Sequence, residues 1–319
     1  MKKSCEVSRI VRIADSHSDF AALKVLSDAE SRLFDHADLI RMVKGGIALQ
    51  VFAIWVPPEH QNKKKCCLSQ LNYLYDFIKS SNGHISLCTT ATDFISPHTI
   101  KAVIAIESGE SIDCSIDLLQ QTYDFGARIY SLSWNTENDF ANGCDCCGGL
   151  KPKGIKAIKK LNRLRAALDL SHINEQGFWE AVSIYEHAPC ATHSSVYDIV
   201  PCQRNLKKDQ IQYIIDKGGY IGVNFYTEFL RGSAASIDDI LDHIEYILMC
   251  SGQNAVGFGS DFCGIQHTPK GLDSVAEYQK IPKAMSNRGF NDTLIQKICY
   301  GNFENYILKF YKIEQDELS

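Results

Sequence analysis

The sequence predicts a single-domain (β/α)8 TIM barrel, an α/β fold, over residues 1–319, on three observations. Eight short β-rich runs alternate with amphipathic helical stretches. Most of those runs are apolar throughout, as parallel strands covered on both faces must be. Nearly every run also ends in a polar residue suited to metal binding or proton transfer, which is where barrel enzymes build their sites. A doubly wound open sheet is the rival, but no G-x-G-x-x-G or G-x-x-x-x-G-K turn follows any strand.

The first strand is expected over 9–15, where Ile10, Val11 and Ile13 lead into Asp15-Ser16-His17-Ser18-Asp19. The second, 46–56, is closed by Pro57-Pro58, which cannot continue a ladder, and it offers no obvious ligand. The third, 102–106, runs into Glu107-Ser108-Gly109. The fourth (127–134) ends in Trp134, the fifth (166–172) in His172 and the sixth (189–193) in His193. The seventh (220–226) ends in Tyr226 and the eighth (255–261) in Asp261. Helices are expected between them. Asp113 stands before Ile116, Leu118, Leu119 and Tyr123; Asn174 before Phe178, Val182 and Tyr185; Asp238 and Asp239 before Ile240, Ile244 and Leu248. Gly126, Gly218 to Gly219 and Gly252 sit where those helices should stop. The long 57–101 connection carries the helical segment KKKCCLSQLNYLYDFIKSS, expected on the rim or the outside of the barrel.

A formal net charge of -5 and a pI near 6.1 argue against nucleic acid or an anionic membrane surface as partner and towards a small molecule. The N-terminal MKKSCEVSRIVRIADS has no continuous apolar segment, and no apolar run reaches membrane-spanning length, so a cytoplasmic protein without a membrane anchor is expected. A homodimer is one assembly open to it. Thirteen cysteines, an odd number scattered along a chain without an export signal, read as free thiols.

A histidine at a strand end is more often a hydrogen-bonded structural residue than a ligand. Three change that balance. His17, His172 and His193 come from different strands of one barrel, and with Asp19, Glu107 and Asp261 they form a cluster too polar for packing alone. Imidazole with carboxylate suits a divalent metal. His36, His60, His84, His98, His187, His243 and His267 are read as ordinary structural or surface histidines.

Those residues sit in motifs that carry a resemblance: D-S-H-S-D at 15–19, G-G-I-A-L-Q at 45–50, A-I-E-S-G at 105–109, L-N-R-L at 161–164 and L-D-L-S-H at 168–172. They continue with A-T-H-S-S-V-Y at 191–197, R-N at 204–205, V-N-F-Y at 223–226 and V-G-F-G-S-D-F at 256–262. In this order and spacing the chain resembles, over nearly its whole length, the membrane dipeptidase (renal dipeptidase) family of the amidohydrolase superfamily. The resemblance implies a (β/α)8 barrel with two divalent ions, zinc foremost. It implies His17 and Asp19 on one ion, His172 and His193 on the other, and Glu107 bridging both. Two such ions can share a hydroxide that is nucleophilic near neutral pH, while one polarises the scissile carbonyl. It further implies Asp261 as the proton-handling carboxylate, Arg204 on the free C-terminal carboxylate of a dipeptide substrate, and Tyr226 as a substrate contact.

Two departures stand out. Where much of the family has a histidine after the fourth strand, this chain has Trp134 followed by Asn135, and tryptophan can donate one hydrogen bond but cannot carry a proton. Where the family usually has a second aspartate after Asp261-Phe262, Cys263 stands. The Cys144-Asp145-Cys146-Cys147 cluster lacks a second cysteine pair at zinc spacing and reads as free thiols in a flexible active-site loop. The expected function is a metal-dependent dipeptidase. The alternatives are another amidohydrolase-type C–N hydrolase, or a degenerate barrel that binds metal without turnover.

Overall fold

The computed structural model describes residues 10–26, 35–96 and 98–311. Arg9, the first residue of the first expected strand, lies outside these, as does most of the N-terminal stretch read for an export signal. Nine strands form among the described residues: β1 (Ile13–Asp15), β2 (Ile47–Trp55), β3 (Ile85–Leu87), β4 (Ile100–Glu107) and β5 (Ala127–Ser131), then β6 (Ala167–Asp169), β7 (Cys190–Ala191), β8 (Tyr220–Val223) and β9 (Val256–Phe258). All of them except β3 close into a parallel ring, in which β1 pairs with β2 and β9, β2 with β4, and successive strands follow from β4 to β9. The expected (β/α)8 barrel is the fold. β2 and β4 are buried along almost their whole length, as their unbroken apolar runs require. Their register sets Trp55 opposite Glu107 at the mouth.

The helices cover this ring. The KKKCC segment becomes helix Lys63–Ser80, capped by the Asn62 side chain and burying Cys66, Cys67, Gln70, Leu71 and Leu74. It therefore belongs to the outer layer. Gln70 fastens the end of β2, its Nε2 donating to the Trp55 carbonyl (2.6 Å) and its Oε1 accepting from the Trp55 N–H (3.2 Å). Asn174 caps helix Glu175–Ile184 as expected. Two other caps fall on neighbouring serines. Ser115 caps helix Ile116–Asp124, while Asp113 closes the preceding turn; Ser236 caps helix Ile237–Met249, with Asp239 completing a capping box.

Five strands end sooner than the sequence suggests, β5 at Ser131, β6 at Asp169, β7 at Ala191, β8 at Val223 and β9 at Phe258. The ladder must stop before the ligand-type residues so that they can turn into the mouth. His172 (φ 69°), Asp261 (φ 63°) and Cys263 (φ 71°) do so in the left-handed region, an unusual backbone for side chains other than glycine. β3 was not anticipated. Ile85-Ser86-Leu87 is too short to show a pattern, and it pairs with Ile100–Ala102 of β4, on the stretch that β5 leaves free.

Candidate metal centre and active-site cavity

Glu107, the last residue of β4, is the centre of the arrangement. It is 4% exposed and its two oxygens face different partners. Oε2 lies 3.2 Å from His17 Nε2, and Oε1 lies 3.0 Å from His172 Nε2 and 3.6 Å from His193 Nε2. Asp19 Oδ2 is 3.7 Å from His17 Nε2. The sequence-expected ligands thus meet in two groups, His17/Asp19/Glu107 and Glu107/His172/His193, each with ligand atoms within 4.8 Å of one another. His17, His193 and Asp261 form a third such group. Among the described residues, the remaining histidines join none. His243, for example, is spent on structure, accepting from the Val196 N–H and contacting the Leu230 carbonyl.

The residues fit divalent metal. Asp19 Oδ1 is buried without a hydrogen-bond partner among the described residues, and His17 Nε2, though 3.2 Å from Glu107 Oε2, makes no well-aligned hydrogen bond there, a costly state for polar atoms unless a cation completes them. Imidazole nitrogens with carboxylate oxygens are the donor set that zinc and its neighbours prefer. The electrostatics agree. Burial opposes charge on Glu107, yet the three surrounding imidazoles, His17 foremost, hold its pKa well below the ordinary value. Burial likewise opposes charge on His17, but Glu107 and Asp19 overcome it and raise its pKa well above the usual one. His193, buried beside His17 and Arg204, is held neutral. For Asp19, burial and then the nearby Glu107 charge push the carboxyl well up. Asp19 and Glu107 thus resist being charged together in the bare protein, a repulsion that a bound cation would relieve.

A cavity of about 490 Å³ opens above the group. Asp19, Glu107, Trp134, His172, Tyr226 and Asp261 all line it, as the sequence anticipated. His17 and His193 lie beneath, 1% and 0% exposed. Asp261 Oδ2 accepts a hydrogen bond from Asn224 Nδ2 (3.0 Å), which aims the carboxylate. Trp134 packs 5.4 Å from Trp55 between ring centroids, and its indole N–H donates to no protein acceptor among the described residues. Asn135, next along, sets the His172 ring through Nδ1 (2.6 Å).

Arg204 is placed differently. Buried to 7% exposure, it borders a second cavity of about 420 Å³ that shares His172 with the first. Its nitrogens reach His172 Nδ1 (3.0 Å), Ser194 Oγ (2.9 Å) and the His193 carbonyl (3.0 Å). The same cavity is bordered by Cys144, Cys146 and Cys147. Their loop is pinned rather than flexible, by bridges Glu137↔Asn142, Ala141↔Leu150 and Gly143↔Ile173. The thiols are free, and burial pushes Cys144 up to about 11.

Sequence reasoning missed Trp55. It lines the main cavity with its indole N–H buried and without a partner among the described residues, and with Leu23, Leu26 and Ile265 it makes one wall apolar. The signal was available in β2, whose run stops on the one amphipathic residue before two prolines.

A model of the membrane dipeptidase family, peptidase family M19, matches residues 1–313. The chain belongs to this family. It is 30% identical over 307 residues to an uncharacterized dipeptidase of Schizosaccharomyces pombe, covering 86% of this chain and 74% of that one. Among solved structures it is similar to the dipeptidase AC, a family M19 metallopeptidase, at 27% identity and a TM-score of 0.88, covering 95% of this chain and 99% of that one. It is also similar, at 26% identity and a TM-score of 0.87 over 95% and 100% of the two chains, to a metallopeptidase from Rhodobacter sphaeroides liganded with a phosphinate mimic of the dipeptide L-Ala-D-Ala. This family member is a metallo-dipeptidase, a hydrolase that uses divalent metal.

Proposed function

We propose that the enzyme carries two zinc ions and cleaves dipeptides with a free C-terminal carboxylate. The observation that carries this reading is the division of Glu107, one oxygen towards His17 and the other towards His172 and His193. His17 and Asp19 would hold one ion, His172 and His193 the second, with Glu107 shared. When bound, such a pair supplies a nucleophile from water near neutral pH and polarises the scissile carbonyl.

The protein's own residues do the rest. Asp261, aimed by Asn224 and within reach of His17 and His193, takes the proton of the attacking water and delivers it to the leaving amine. Trp134, whose N–H is uncommitted, donates to the oxygen on which negative charge develops. Tyr226 and the apolar wall hold the substrate. Arg204 pairs with the C-terminal carboxylate in a planar fork. Its contact with His172 Nδ1 yields to this role, because ligation through Nε2 puts the proton on Nδ1. Asn135 Oδ1 then accepts that proton, and the guanidinium loses its acceptor there. The ligand of the Rhodobacter sphaeroides relative supports tolerance for a D-residue at the C-terminal position. We place the enzyme in the cytoplasm, which cell fractionation tests.

Metal analysis of the purified protein with a dipeptide-library hydrolysis screen tests the proposal. Two ions per chain and turnover of free-acid dipeptides are expected. Saturation at a single ion overturns the binuclear reading, and two ions without turnover of any dipeptide leave a non-catalytic barrel.

A further inference from the structure

Behind the candidate metal ligands, a single hydroxyl touches one histidine from each group. Thr192 Oγ1, fully buried just past β7, lies 3.3 Å from His17 Nδ1 and 2.8 Å from His193 Nδ1. It also lies 2.5 Å from Asp169 Oδ2. From these contacts we infer that Thr192 is a positioning residue that sets the tautomer of both histidines at once, and so couples the two halves of the centre. The inference rests on the binuclear reading proposed above.

A threonine hydroxyl has one proton to give and two lone pairs to receive with. Asp169 already accepts from the Ser171 N–H (3.0 Å) and the Thr192 N–H (2.9 Å) through Oδ1, so its carboxylate acts as an acceptor. Its Oδ2 then receives the hydroxyl proton. The hydroxyl has only lone pairs left. Both imidazoles must donate to it, which places a proton on Nδ1 of His17 and of His193. In the neutral ring that metal ligation requires, their Nε2 atoms, the ones that face Glu107, are then left as bare lone pairs for a metal.

The hydroxyl cannot drift from this post. The Thr192 carbonyl accepts from Ser16 Oγ (2.5 Å). It is also pressed against Gly222 and Gly259, where an added Cβ would come within 2.1 and 1.7 Å of it. The backbone at Thr192 is thus clamped between β8 and β9, and the carboxylate–threonine–histidine chain starts from a strand residue, Asp169. His172 is oriented separately, by Asn135.

The test compares Thr192→Val, which keeps the shape and deletes the hydroxyl, with Thr192→Ser, which keeps the hydroxyl. Metal content and affinity are measured by elemental analysis under chelator competition, with thermal unfolding of the metal-free proteins as a fold control. Thr192→Val should weaken both ions by roughly 10–100-fold, the usual scale for loss of an outer partner of a ligating histidine, and Thr192→Ser should stay within about threefold of wild type. Loss of one ion alone, or equal losses in the valine and serine variants, overturns the inference. A second readout needs no variant. Nitrogen-15 spectra of histidine-labelled, metal-loaded wild type should show Nδ1 protonated on His17 and His193, and an unprotonated Nδ1 on either refutes it. Failure of wild type to bind two ions would instead refute the binuclear reading itself.

Discussion

Replacing Glu107 by glutamine changes one oxygen into an NH2 at constant volume, and so asks whether both halves of the centre depend on a single carboxylate. In the structure one oxygen serves His17 and the other serves His172 and His193. An amide can present its oxygen to only one side. The other side loses a ligand and faces donor hydrogens where it had an acceptor. A four-ligand structural zinc site is worth about 10–16 kcal/mol, hence roughly 2.5–4 kcal/mol per ligand, or about 10²–10³ in Kd. The side that meets the NH2 should weaken by at least this much, and the side that keeps a neutral oxygen by less. Glu107→Gln is therefore expected to retain at most one ion when dialysed against a chelator that leaves wild type with two, and to lose turnover. Elemental analysis reads the stoichiometry, and circular dichroism checks the fold. Two ions held at wild-type affinity would refute the shared-carboxylate reasoning.

Three further outcomes are expected. Arg204→Ala should cost roughly 2–5 kcal/mol in kcat/KM, the scale for breaking a buried charge pair. Because that substitution also strips partners from Ser194 and the His193 carbonyl, the cleaner measurement is on wild type, where equal kcat/KM for a dipeptide and its C-terminal amide would exclude the clamp. Trp134→Phe should lower kcat about 10²–10³-fold with little change in KM if its N–H stabilises the oxyanion; a change within about threefold would exclude that role. The same substitution at Trp55, whose N–H is buried without a partner among the described residues, separates the two donors. Away from the centre, burial holds His243 down at about 4, against about 6.5 for an unfolded histidine. Above pH 6.5 both states leave it neutral. As pH falls below that, the unfolded chain takes up a proton that the folded one refuses, so stability drops by up to roughly 3 kcal/mol towards pH 4. Urea midpoints measured over that range should flatten in a His243→Gln variant that folds, and an unchanged slope would exclude His243 as the cause.

Much of the barrel was legible because each ring strand carries its own apolar run, and β2 and β4 are buried along almost their whole length. The ligand-type residues were legible because His17, Glu107, His172, His193 and Asp261 interrupt those runs at their ends. Two kinds of feature were not. The ends of the ladders depend on φ at single residues, such as His172 and Asp261, which no periodicity reports. The partners behind the ligands, Thr192 and Asp169, look in sequence like ordinary polar residues beside a histidine. Their meaning lies in distances between strands. Arg204 falls between these cases, since its motif was readable but its place in a neighbouring cavity was not.

Ser108, His172, Asp261 and Cys263 all hold positive φ at the barrel mouth, and left-handed backbone costs an ordinary residue about 1–2 kcal/mol. Glycine would be more comfortable at each of them. Selection for thermostability alone would thus reward substitutions at positions that include His172 and Asp261, the proposed ligand and proton carrier, and laboratory evolution of a hardier variant should be screened for turnover in every round. Against a total stability of about 5–15 kcal/mol, four such positions are a large debt to carry. Two of them, His172 and Asp261, present their side chains to the main cavity from that backbone.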